Sequence, residues 1–212
     1  MSFARGCAVA MVSLCFGLAV PSVRAADAIV TITADNRYDL YVNGAYVGSQ
    51  NNSEPGYGWE TPEVWRVTLE PGNNLIAVFA QDESSASNTA IGVLARIDVA
   101  STLLTITNTA WKSSQTGPAG WNTLAFDDSG WAPAFDCGPY NASPWVLFRA
   151  PIAEFAGTGA RWIWAGTPPY ASGYGYYNPG GYQFAYLRSV VTLPYVTPTH
   201  VSTWGDLKAR FR

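Results

Sequence analysis

Apolar and polar residues alternate over short stretches between about residue 26 and residue 150, a pattern typical of β-strands with one buried face. Residues 29–34 (IVTITA) form a largely β-branched run with little helical propensity. Residues 38–42 predict a second strand, and Asn43-Gly44 follows it directly. This dipeptide is preferred in two-residue hairpin turns because both residues tolerate positive φ. We therefore predict a hairpin whose return strand occupies residues 45–47.

The same alternation continues beyond the hairpin. Residues 70–73 (EPGN) predict a turn, since proline presets φ and glycine accepts the left-handed conformation. Residues 74–80 (NLIAVFA) are nearly all apolar, which predicts a central strand buried on both faces. No stretch sustains a 3.6-residue apolar period, so we expect almost no helix beyond one short turn at residues 123–127. Further strands are predicted at residues 64–69, 90–99, 103–107, 111–113 and 145–149.

A second part of the chain, residues 151–194, begins with an aromatic segment and ends with a strand. Arg161-Trp162-Ile163-Trp164 opens it, and residues 184–193 form the predicted strand. Between them, residues 166–183 are rich in glycine, tyrosine and proline, and we expect an irregular loop whose tyrosines cover one sheet. Residues 195–212 are expected to be a flexible tail.

The N-terminus has the features of a secretory signal peptide at residues 1–25. Residues 8–20 are apolar but too few to span about 30 Å of bilayer hydrocarbon, and the small residue Ala25 marks the cleavage point. The alternative of a buried or anchoring helix is disfavoured by Pro21 directly after the apolar run. We therefore expect a secreted or cell-surface protein without a membrane span, with its folded domain at residues 26–194.

Composition excludes several classes of function. The formal net charge is −3 and only 13% of residues are charged, so no cluster of cations is available for nucleic acid. The only histidine is His200, in the tail, so a Ser-His-Asp triad or a zinc cluster cannot be assembled within the fold. Asp127-Asp128 is a carboxylate pair whose simpler role is to cap a turn. We expect no enzyme activity. Cys137 is the one cysteine left after cleavage, and we expect it to be a small buried hydrophobe.

Four segments in a fixed order resemble galactose-binding-domain-like jelly rolls, and more narrowly the accessory carbohydrate-binding domains of bacterial α-L-rhamnosidases. They are TADNRYDLYVNG, VTLEPGNNLIAVFA, IGVLARIDV and AWKSSQTGPAGWNTLAFDDSGW, and they cover about half of the chain. The resemblance implies an all-β sandwich of jelly-roll type. In such domains a WIW segment and a strand like YLRSVVTLP come before the first of these segments, whereas here they follow the last. Either the chain is circularly permuted, or residues 151–194 begin a truncated second copy. We favour permutation, which requires residues near Val190 to pair with the first part of the chain.

The resemblance also implies where a ligand would bind. It places ligand contacts at the first break between strands, where Asp35, Asn36 and Arg37 lie. Their side chains can hydrogen-bond to sugar hydroxyls, and the simpler alternative for Asp35-Asn36 is an Asx turn. Calcium is the cofactor that the resemblance allows, with Asp82, Glu83 and Asn88 as further oxygen ligands, although the residues by themselves establish no metal site.

Aromatic residues supply the flat surfaces on which sugars stack. With 14% aromatic residues, the chain is rich in them. Tyr57 and Trp59 lie in a polar loop, and we expect Trp59 to form an exposed platform. Trp65 lies in an alternating strand and is expected to pack in the core. Four others are expected in the core or in a lid over it: Trp111, Trp121, Trp131 and Trp145.

The leading functional hypothesis is non-catalytic binding of a polysaccharide or glycoconjugate through loops at one end of the sandwich, by a monomer or a component of a surface assembly. The first alternative is a structural or adhesion module of the cell envelope without a sugar site. The second is the accessory fragment of a glycoside hydrolase. An exposed aromatic ring beside polar groups near residues 35–37 would favour binding, whereas a fully packed end would favour the structural role.

Overall fold

The structure is a computed structural model that describes residues 24–50, 58–82, 89–143, 145–146, 151–166, 171–172, 175–178 and 184–194. These residues form fifteen β-strands and two 3-10 helices, Gly58–Glu60 and Ala153–Phe155, and no α-helix occurs among them. The strands are β1 Ala26–Asp35, β2 Arg37–Val42, β3 Ala45–Ser49, β4 Glu63–Leu69, β5 Gly72–Gln81, β6 Thr89–Ala90, β7 Gly92–Val99, β8 Thr102–Ile106, β9 Lys112–Ser114, β10 Ala132–Pro133, β11 Phe135–Pro139, β12 Arg161–Trp164, β13 Ala171–Ser172, β14 Gly175–Asn178 and β15 Phe184–Leu193.

Two antiparallel sheets make up the sandwich. The first has the order β11-β12-β7-β1-β4, and β8 also pairs with β7. The second has the order β10-β9-β15-β5-β2-β3. A small third sheet joins β13, β14 and β6. The predicted all-β sandwich is confirmed.

Side-chain alternation builds the core from both sheets. Tyr38, Leu40 and Val42 of β2 point inward and are buried, while the residues between them lie on the outer face. The predicted hairpin turn is also confirmed, because Asn43 and Gly44 both have positive φ, at 51° and 88°.

The last described strand is an internal strand of the second sheet. β15 pairs along its whole length with β5, from Phe184 opposite Gln81 to Leu193 opposite Gly72, and its other edge pairs with β9. Val190 lies opposite Leu75, which is the pairing that the permutation hypothesis requires. That residues 26–194 form one permuted domain remains a prediction.

Large aromatic residues fill much of the interior. Trp111, Trp145, Trp162 and Trp164 are almost completely buried. Cys137 is buried as well, and burial raises the pKa of its thiol, which keeps it uncharged. The expectation that Cys137 is a buried hydrophobe is confirmed.

Residues 115–131 form a covering segment over the outer face of the second sheet. Leu75 and Ala77 alternate away from the core, yet they are fully buried. Trp121 packs edge-on against Tyr186 of β15, with ring centroids 5.0 Å apart. Trp121 and Trp131 are half-buried in this segment, whereas Trp111 and Trp145 lie in the core, as predicted for core or lid.

Two local predictions are wrong. Trp145 and Val146 form a turn instead of starting a strand, and the rest of that predicted strand lies outside the described residues. Residues 166–183 were expected to be irregular, but β13 and β14 occur within them. Trp145 turns inward because its ring stacks on Trp162 and its indole N–H binds a buried carboxyl group. In the segment of residues 166–183, β14 is held in place by its pairing with β6.

Candidate functional site

One end of the sandwich collects the polar residues that the sequence singled out. β1 ends at Asp35, β2 begins at Arg37, and β5 ends at Gln81. The backbone N–H of Asn36 donates a hydrogen bond to the carbonyl of Gln81, and Arg37 lies opposite Gln81 in the strand ladder. Asp82 follows directly and is also buried. Asp35, Asn36 and Arg37 therefore lie together, beside two polar residues from a distant part of the chain.

Asp35 is a buried acid and does not face solvent. Only 6% of it is exposed, and its two carboxyl oxygens accept hydrogen bonds from Trp145 Nε1 at 3.1 Å and Asn36 Nδ2 at 2.9 Å. Burial raises the pKa of Asp35 to about 8, and the charge of Asp82 adds to the rise, while the bond from Trp145 opposes it. Asp35 is therefore mostly protonated at neutral pH and anchors Trp145.

A stack of tryptophans lies beneath Asp35. Trp145 and Trp162 are parallel with centroids 4.3 Å apart, and Trp59 meets Trp162 edge-on at 6.3 Å. Nε1 of Trp162 is buried without a hydrogen-bond partner among the described residues. This stack fills the interior below that end of the sandwich with buried aromatic rings.

The expected exposure of Trp59 is wrong, because only 8% of the residue is exposed. The 3-10 helix Gly58–Glu60 lies against β1, where Thr33 Oγ1 donates a 2.9 Å hydrogen bond to the Trp59 carbonyl. The ring enters the core because burying so large an apolar surface outweighs the polarity of its neighbours in sequence. Trp65 is half-buried and packs against the core, as expected. Tyr57 lies outside the described residues.

The exposed aromatic ring at this end comes from β15. Phe184 is 40% exposed and lies opposite Gln81, which in turn lies opposite Arg37. Residues directly opposite in a ladder share one face of the sheet, with Cβ atoms about 5 Å apart. Arg37, Gln81 and Phe184 therefore form a row on the outer face, which we call the end row. Phe79 stacks on Phe184 with centroids 5.9 Å apart and supports its ring.

The end row could not be predicted from the sequence, because Phe184 is 147 residues from Arg37 along the chain. The usable signal was the alternation in residues 184–193, which puts Phe184 and Tyr186 on the face opposite to Leu187. Register with β5 could not be obtained from that pattern alone.

The described residues provide no metal centre. No group of three or more His, Cys, Asp or Glu residues that could hold a metal ion occurs among them. Both oxygens of Asp35 already accept protein hydrogen bonds, and Asp35 and Asp82 fall short of the six to eight oxygens that calcium takes. Glu83 and Asn88 lie outside the described residues. In the described part of the chain, no helix is both long and apolar enough to cross a bilayer.

Known proteins resemble this chain in sequence and in fold. No family model matches the chain. An α-L-rhamnosidase from Streptomyces avermitilis is 35% identical over 132 residues, which are 61% of this chain but 13% of the enzyme. This chain therefore corresponds to a small part of that relative.

Two solved structures are similar. A lectin from Pleurotus ostreatus in complex with GalNAc aligns with a TM-score of 0.51 at 17% identity, over 82% of this chain and 66% of the lectin, which is a likeness of fold. The Streptomyces avermitilis α-L-rhamnosidase complexed with L-rhamnose aligns with a TM-score of 0.49 at 24% identity, over 84% of this chain and 21% of the enzyme, a score too low to add to the comparison. The chain is thus an all-β sandwich, similar in sequence to a region of a bacterial α-L-rhamnosidase and similar in fold to a lectin.

Proposed function

We propose that this protein is a secreted, non-catalytic carbohydrate-binding module that holds glycan at the end row. The observation that carries the proposal is the placement of an exposed aromatic ring, Phe184, in one row with Gln81 and Arg37. An aromatic face packs against the apolar face of a pyranose. The guanidinium donates hydrogen bonds, and the amide both donates and accepts them, so the row complements sugar hydroxyls.

The aromatic packing beneath the row supports binding. Phe184 rests on Phe79, whose ring also contacts Tyr186 at 5.0 Å between centroids. A platform held in place before binding loses little side-chain freedom when the sugar arrives. The relation to part of an α-L-rhamnosidase favours one biological setting, in which such a module accompanies a glycoside hydrolase.

The test is a glycan array followed by affinity measurements on the full chain, with and without a chelator. We expect binding to at least one neutral glycan. Phe184→Ala and Arg37→Ala should each weaken it about tenfold, which corresponds to about 1.4 kcal/mol. Val190→Ala is the matched control, since Val190 is an exposed residue on the same strand and face. Absence of binding to any glycan, with the protein folded, would favour the structural module instead.

Export has its own test. Residues 1–23 lie outside the described residues, so the signal peptide remains part of the proposal. N-terminal sequencing of the protein from the culture medium should begin at Ala26. An intact N-terminus on protein retained inside the cell would contradict secretion.

A further inference from the structure

A cleft lies on another part of the sandwich, at the edge where the two sheets meet. β3 is the last strand of the second sheet and β4 the last strand of the first. The cleft between them has a volume of about 510 Å³. We call it the edge cleft, and the lining residues that matter here are Asn43, Tyr46, Arg66, Thr68 and Glu70.

The edge cleft is remote from the end row. Arg37 is the first residue of β2, and Asn43 follows the last, six residues further along. At about 3.3 Å per residue, the two sites are about 20 Å apart. A ligand in one does not contact the other unless it is an oligosaccharide of several units.

A network of two asparagine amides, from the exposed Asn43 and the buried Asn74, holds the walls of the cleft together. Asn43 Oδ1 accepts a hydrogen bond from the Leu75 backbone N–H at 2.8 Å, and Asn43 Nδ2 donates to Asn74 Oδ1 at 2.9 Å. Asn74 is fully buried, accepts the Glu70 N–H at 2.8 Å and donates to the Glu70 carbonyl at 2.6 Å. These bonds join the β2–β3 turn to the β4–β5 turn. The two asparagines are therefore the frame of the cleft.

The groups left to meet a ligand are a cation, an anion and an aromatic ring. Among the described residues, the side chains of Arg66 and Glu70 make no hydrogen bond or ion pair, and both residues are exposed. Tyr46 is 59% exposed and is supported by Tyr41, with centroids 5.6 Å apart. The side chains of Asn43 and Asn74 thus hydrogen-bond within the protein, whereas the groups of Tyr46, Arg66 and Glu70 are available to a ligand.

Their chemistry selects the class of ligand. A guanidinium only donates hydrogen bonds and a carboxylate only accepts them, so together they match neighbouring hydroxyls, which do both. The opposite charges of Arg66 and Glu70 cancel, which removes any net attraction for an anionic sugar. Tyr46 adds an aromatic surface for an apolar pyranose face.

We infer that the edge cleft is a second glycan subsite, which takes a neutral pyranose through Tyr46, Arg66 and Glu70. The inference rests on the proposed carbohydrate binding and adds a site to it. With two sites about 20 Å apart, the module contacts a long glycan at two points, and the second contact strengthens the first by raising its effective concentration.

The experiment is an NMR titration of the ¹⁵N-labelled full chain with N-acetylgalactosamine, L-rhamnose and galacturonate in turn. We expect a neutral sugar to shift the amides of Tyr46 and Glu70 and the Nε–H of Arg66. Tyr46→Ala and Glu70→Gln should each weaken that titration at least about tenfold. Val64→Ala, an exposed change on the same face of β4, should leave it unaltered.

The outcomes separate this inference from the proposed function. Shifts at Arg37, Gln81 and Phe184 without shifts in the cleft would overturn the inference and leave the proposed function standing. Shifts in the cleft alone would support the inference and would exclude the end row as a sugar-binding site. No shift with any of the three sugars would overturn both. Galacturonate binding about tenfold tighter than the neutral sugars would show that the ligand class is wrong.

Discussion

Arg188 is the cation on which the covering segment depends. It is 2% exposed, in the middle of β15. Its Nε donates a 2.7 Å hydrogen bond to Asp128 Oδ2, and its other nitrogens donate to the carbonyls of Trp121, Thr123 and Phe126. Arg188→Met keeps most of the side-chain volume and removes every one of these bonds.

The expected loss of stability is about 3 kcal/mol. Removing one partner of a buried ion pair costs about 3–5 kcal/mol, because the remaining charge stays buried without compensation. Asp128 is 26% exposed, so water stabilises the carboxylate that remains, and the lower end of that range applies. Three backbone carbonyls also lose their hydrogen-bond donor. Part of the free energy of those bonds is already included in the estimate of about 3 kcal/mol.

Equilibrium unfolding in urea measures this change. Arg188→Met should lower the free energy of unfolding by about 3 kcal/mol, whereas Arg66→Met, an exposed arginine without an ion pair among the described residues, should change it by less than about 0.5 kcal/mol. Tryptophan fluorescence should show Trp121 more exposed in the folded variant. A loss below about 1 kcal/mol for Arg188→Met would show that these bonds do not hold the covering segment in place.

Three further predictions concern the interior. Burial raises the folded-state pKa of Asp35 to about 8 from an ordinary value of 3.8, so its contribution to stability is present below pH 4 and is lost as the pH rises to 8. Asp35→Asn should therefore gain stability relative to the wild type between pH 5 and pH 7.5, and parallel urea profiles would contradict the buried acid. Trp145→Phe should lower stability in thermal unfolding by about 1 kcal/mol more than Trp162→Phe, since the first removes a hydrogen bond and the second removes an N–H without a partner among the described residues; equal losses would argue against this difference. Gly48→Ala should lower the free energy of unfolding by about 1–3 kcal/mol, because the new Cβ would overlap the Trp65 ring, and an unchanged melting temperature would show that the ring moves freely.

Features set by neighbouring residues could be predicted from the sequence. The Asn43-Gly44 turn follows from the φ values that only a few residue types tolerate. The strands around it follow from an alternation with period two. β15 was predicted as residues 184–193 for the same reason, and a pairing of residues near Val190 with the first part of the chain follows from the need to cover an apolar edge. That β5 is the partner strand could not be predicted.

Features set by contacts between distant residues could not be predicted. Trp59 lies among polar neighbours, yet its ring reaches Trp162 across the core and is buried. Phe184 joins Arg37 through the register of two separate strand pairings, which alternation does not specify. The same holds for Arg188 and Asp128, which are 60 residues apart.

Glycan binding at the end row is tested most directly by a crystal structure of the protein with a neutral glycan selected from the array. We predict a pyranose ring stacked on Phe184, with its hydroxyls within hydrogen-bond distance of Arg37 and Gln81. A glycan bound elsewhere, with the end row empty, would contradict it.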